Sequence, residues 1–200
     1  MLPRTLLTAG CILFLISAFL PPGAMHSPFG MFKWTLEAVS SSDSNGEAVA
    51  YSGAAVVVAY PYVWAVLVVA TALWNLKSLW FHVALQSIGG LVFTALIVML
   101  ILLHDPWLRL PVWGQWLAAI TPVAMLIPIW AVAFRATADR RIWLVIGMGF
   151  LPQLLFAVAL AFISVGRAGH AWGFVIGSVG CLLALLGSFR LAAICYCKAS

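Results

Sequence analysis

Polar residues in this chain gather into short clusters, and between them lie six apolar runs, over residues 5–20, 54–74, 83–103, 112–134, 142–163 and 171–196. A helix needs about 20 predominantly apolar residues to cross the hydrocarbon layer. The pattern therefore predicts an all-α integral membrane bundle of six transmembrane helices, forming a single domain over residues 1–200. The first run is the shortest and stops at Pro21-Pro22. Arg4 precedes it and no small-x-small cleavage site follows, so it reads as a retained helix and not as a signal peptide. Leu7-Thr8-Ala9-Gly10-Cys11 looks like a lipoprotein box, but the apolar run continues beyond Cys11, which rules that reading out.

The connection over residues 21–53 is the long one, and it falls on the outer side. Ser27-Pro28 has the form of a helix start, a capping serine with proline at the first helical position. Met31, Phe32, Leu36 and Val39 follow on one face, with Lys33 and Glu37 at i,i+4. This predicts a short interfacial helix. The serine-rich stretch over residues 40–46 predicts a solvated loop. The remaining connections are short, so helices adjacent in sequence should be antiparallel neighbours.

The last run carries the clearest periodic signal. Gly173, Gly177, Gly180, Ala184 and Gly187 are spaced 4-3-4-3. At about 100° per residue they form one narrow stripe on a helix. A stripe without bulk lets another backbone approach, which is how helices associate in lipid, where burial of apolar surface provides no drive. The small-residue face of the fifth run, Gly149, Gln153, Ala157, Ala161 and Ser164, is the expected partner.

Composition supports the bilayer as solvent, since the chain is 65% hydrophobic and 8% charged, against about 25% charged for soluble domains. The net charge is +5, yet the cations form no basic stripe and no nucleic-acid motif accompanies them. With six spans, Arg4, Lys77, Arg135, Arg140, Arg141, Arg190 and Lys198 share one face, leaving Lys33, Arg109 and Arg167 opposite. The positive-inside rule makes the first group cytoplasmic, which gives an N-in/C-in topology in a bacterial inner membrane or equivalent plasma membrane. Trp74, Trp80, Trp143 and Tyr196 then map to the inner interface, and Tyr60, Tyr62, Trp107, Trp113, Trp116 and Trp172 to the outer one. Trp64 and Trp130 read as packing residues.

Candidate chemistry is sparse. All five carboxylates fall in loops, which argues against a pump built on a buried acid. Arg190, the one charge inside a span, is explained by snorkelling to the headgroups. Gln86, Thr94 and Gln153 are polar residues within spans; they read either as interhelical glue or as the lining of a small-solute path between the third, fifth and sixth spans. His104 and His170 sit at the outer boundary, where two imidazoles from neighbouring helices suit a haem. No HxxxH, HxH or CxxCH spacing accompanies them, and no metal site, catalytic residue or disulfide is expected. Pro61, Pro122, Pro128 and Pro152 interrupt spans, as membrane helices tolerate. The leading functional reading is a non-catalytic scaffold or accessory subunit, associating with the lipid bilayer and with other membrane subunits or itself. Its alternatives are a carrier or channel for a small neutral or anionic solute, and a haem-binding redox protein.

Overall fold

The structure is a computed structural model that describes residues 2–20, 27–41, 45–74, 78–102, 111–135, 138–168 and 172–197. Every element among the described residues is an α-helix: α1 (Leu2–Ser17), α2 (Pro28–Ser41), α3 (Asn45–Trp74), α4 (Leu79–Leu102), α5 (Val112–Arg135), α6 (Ala138–Ala168) and α7 (Trp172–Cys197). By length and composition, four of them are apolar enough to cross a membrane: Tyr51–Trp74 within α3, Leu79–Met99 within α4, Val112–Arg135 and Trp172–Cys197. At about 1.5 Å per residue α1 is only about 24 Å long. Its last turn tightens, with Ala18, Phe19 and Leu20 donating to carbonyls three residues back at 3.1–3.3 Å.

Both ends of the predicted Ser-rich loop are helical instead, since α2 runs on to Ser41 and α3 already begins at Asn45. The reason lies in the hydroxyls. Ser40 and Ser41 donate to the Glu37 carbonyl at 2.7 and 3.1 Å, and Ser52 donates to that of Ala48 at 2.7 Å. Each serine thus turns back on its own helix instead of capturing loop backbone. At the start of α2 the Ser27 hydroxyl accepts the Gly30 N–H at 3.1 Å, the capping geometry that Ser-Pro implies.

The expected face of α2 divides. Phe32 and Val39 are half-buried, whereas Met31 and Leu36 are 41% and 49% exposed. Thr35 is the buried residue of this helix, and its hydroxyl is satisfied by the Phe32 carbonyl. Trp34 meets Tyr51 of α3 edge-on at 5.7 Å, and the Phe29 N–H donates to Ala18 at the end of α1.

The other six helices follow one another around a closed circuit: α7 lies between α1 and α6, α1 meets α3, α3 meets α4, α4 meets α5, and α5 returns to α6. Rings fill the middle. Trp64 and Phe150 lie 4.5 Å apart between centroids, Phe14 meets Phe150 edge-on at 6.4 Å and stacks on Tyr62 at 4.9 Å. One apolar core joins α1, α3, α6 and α7, and a smaller one around Val83, Ile129, Ala133 and Val145 joins α4, α5 and α6.

The outer faces are apolar too. On α7, Val175, Val179, Leu182 and Leu186 are exposed opposite the buried small residues. This helix is therefore sided by bulk and not by polarity, as lipid requires. Trp74, Trp80, Trp113, Trp116, Trp172 and Tyr196 are exposed near helix ends. Trp143, expected among them, is buried at 7% exposure and belongs to the central core. Tyr60 and Tyr62 are half-buried in helix packing, and Trp107 lies outside the described residues.

Candidate functional site: a backbone-tight helix pair and a buried polar seam

The five small residues of α7 are all buried. They face α1, and the expected partner on α6 is not what they meet. A methyl group built on Gly180 would lie 2.6 Å from the Phe14 nitrogen and 2.8 Å from the Gly10 carbonyl oxygen. On Gly187 it would lie 2.5 Å from the Leu7 nitrogen and 2.9 Å from the Pro3 oxygen, and on Gly173 2.8 Å from the Leu20 oxygen. Contact is reciprocal, because a methyl on Gly10 would reach the Gly180 oxygen at 2.6 Å and the Ala184 backbone. Gly177 faces a side chain instead, the Ser17 hydroxyl at 3.1 Å. The two helices run antiparallel at backbone distance, the approach that small residues permit.

Gly10 is the residue that sequence reasoning missed. It is the only glycine of a 16-residue helix, so no repeated spacing marked it. Its companion at one helical repeat, Ser17, is the signal that was there to read. On the other side of α7, Gly147 of α6 lies close against it. A methyl there would meet the Ser188 hydroxyl at 2.7 Å and the Phe189 ring at 3.0 Å.

The polar residues converge on α3, and not on the last helix. Gln153 Nε2 donates to the Tyr60 hydroxyl at 2.7 Å, joining α6 to α3. Tyr60 in turn abuts Gly89 of α4, where a methyl would be 2.5 Å from its ring. One turn further along α3, the indole of Trp64 and the amide of Gln86 meet over Gly149 of α6. A methyl on Gly149 would be 2.6 Å from Trp64 Cζ2 and 2.8 Å from Gln86 Nε2. Where α3 ends and α4 begins, Thr71 Oγ1 pairs with His82 Nε2 at 2.9 Å. These three levels form a seam between α3, α4 and α6.

Thr94 takes no part in it, since its hydroxyl donates to the Ala119 carbonyl of α5 at 2.9 Å. The Trp130 indole donates to Ser87 at 3.0 Å, a second bond between α4 and α5. The side chains of Ala157, Ala161 and Ser164 lie outside those described. Arg190 is exposed on α7, in keeping with a snorkelling cation.

The seam is incompletely paired. Trp64 is 0% exposed and Gln86 3% exposed, and neither Trp64 Nε1 nor Gln86 Nε2 has a hydrogen-bond partner among the described residues. His82 Nδ1 is also without one, although the ring is fully buried. An unmade hydrogen bond of this kind costs about 1–3 kcal/mol. His104 and His170, the two residues expected to suit a haem, lie outside the described residues. Comparison with known proteins finds no matching family model, no matching curated relative and no matching solved structure.

Proposed function

We propose that the chain is a non-catalytic scaffold or accessory subunit of a membrane complex, crossing a bacterial inner or equivalent plasma membrane six times with both termini in the cytoplasm. The observation that carries the reading is the use of small and polar residues to lock helix to helix. α7 touches α1 backbone to backbone. Gln153–Tyr60, Thr71–His82, Thr94–Ala119 and Trp130–Ser87 each spend a polar group on joining two helices. Such a bundle holds its outer faces in fixed positions for other membrane proteins to dock on.

Support for six spans comes from α6, whose 31 residues reach about 46 Å, and from α1, which covers the bare face of α7 and argues for its retention. α2 fits an interfacial position, because Phe29, Met31, Trp34 and Leu36 leave an apolar surface on it. Purification in mild detergent should retain a partner at fixed stoichiometry. A stable, partner-free monomer from native membranes contradicts the subunit role. Single cysteines at residues 4 and 200 should react with impermeant reagent only after the inner side is opened, and labelling from outside contradicts the topology.

A carrier for a small neutral or anionic solute is the second reading, and the unpaired Trp64 and Gln86 donors favour it.

A further inference from the structure

The seam holds two buried donors without a partner among the described residues, Trp64 Nε1 and Gln86 Nε2, on side chains that both abut Gly149. Trp64 abuts Gly149 through the benzo edge of its indole, Cζ2 and Cη2, and Cζ2 is bonded to the ring carbon that bears Nε1. Gln86 Nε2 touches the same spot from α4. Pro152 lies inside α6. Proline has no N–H to offer the carbonyl four residues earlier, which is that of Met148, next to Gly149. In a membrane such freed carbonyls are met by neighbouring helices, hydroxyls or ordered water.

We infer that Trp64, Gln86 and the Met148 carbonyl together bind one hydroxyl-bearing molecule between α3, α4 and α6. Its oxygen accepts from the Trp64 indole and the Gln86 amide, and its own hydrogen goes to the Met148 carbonyl. An uncharged hydroxyl matches this set, since it both accepts and donates. A metal cation is excluded by the two donors, and an anion has no positive charge to balance it in the described seam. Water and the hydroxyl of a small polyol share this chemistry. Gly149 lets both side chains come up against the α6 backbone, because a methyl there would meet both of them. The occupant does not depend on a partner protein, so failure of the subunit role leaves it standing.

The test uses the full chain in nanodiscs, with Gln86→Met, Trp64→Phe and the double variant. Removing the Gln86 donor leaves stability unchanged or raises it if it bonds nothing, and lowers it if it holds an occupant; Trp64→Phe also loses buried ring volume, so its part in the test is the coupling. Each single change should lower the thermal midpoint, by about 2–5 °C. The double variant should fall no further than the lower single one, because both residues hold one molecule. Midpoints that stay level or rise, or falls that simply add, overturn the proposal. Glycerol uptake into proteoliposomes then identifies the source. Entry faster than into protein-free vesicles, and lost in Gln86→Met, assigns a polyol; entry equal to protein-free vesicles, with the coupled midpoints intact, assigns water.

Discussion

At the residue scale the glycines are not equivalent, and what each faces ranks them. Gly10, Gly180 and Gly187 look onto backbone, which does not move aside. Alanine at Gly180 or Gly10 should therefore cost about 1–3 kcal/mol or more, the usual penalty of overpacking. Gly177 faces the Ser17 side chain, and alanine there should cost less. Gly53 has nothing within 4 Å, so Gly53→Ala should be neutral or stabilise by up to about 1 kcal/mol through helix propensity. Unfolding midpoints across the four variants give the order directly; a Gly53→Ala loss matching that of Gly180→Ala contradicts it. The Gln153–Tyr60 bond supplies a second case. Gln153→Leu and Tyr60→Phe should each cost about 0.6–2 kcal/mol and couple in a double-mutant cycle.

Sequence legibility divides along the same line. The spacing of Gly173, Gly177, Gly180, Ala184 and Gly187 is a property of one helix and is visible in the chain alone. Which surface lies against it is a property of two. The lone Gly10, set among Leu, Thr and Ala, had only Ser17 to mark its face. Likewise Gln86 and Gln153 stand out as polar residues in apolar runs, yet Tyr60 and Trp64 look like ordinary membrane aromatics until the helices are packed.

At the element scale α1 is the decisive piece. It is too short to span the hydrocarbon layer comfortably, and its value lies in the face it covers. Without it, Gly173 to Gly187 would present a groove of bare backbone to acyl chains, which fill it poorly. A chain lacking residues 2–20 should lose its folded, monodisperse form in detergent, as seen by size-exclusion chromatography; an unaltered profile and midpoint contradict this. The boundaries of α2 and α3 show why loops were the least legible elements. Serines favour loops when their hydroxyls capture free backbone, but Ser40, Ser41 and Ser52 are satisfied within helices. Nothing in composition separates the two outcomes.

At the scale of the whole molecule, apolar surface faces both ways. Val179 and Leu182 point outward from the middle of α7 at 46% and 45% exposure, opposite Gly177 and Gly180. Val179→Asp should accordingly weaken insertion by about 2.5–3.5 kcal/mol at the bilayer centre, measured as the glycosylated fraction in a translocon assay. An unchanged fraction places that face away from lipid. At one end of the bundle, Arg140 lies over the Tyr196 ring at 5.1 Å and joins the start of α6 to the end of α7. Tight pairs at both ends and across the centre make the bundle one body.

The docking of α1 on α7 underlies that body, and a crosslink tests it most directly. A methyl on Gly177 lies 3.5 Å from Ser17 Cβ, within the Cβ–Cβ range of about 3.5–4.5 Å that a disulfide spans. Ser17→Cys with Gly177→Cys, oxidised in native membranes and read by peptide mass spectrometry, should join the two helices nearly completely. Ile12→Cys with Gly177→Cys, on the exposed face of α1, should stay reduced. Equal crosslinking of both pairs, or none of the first, contradicts the account.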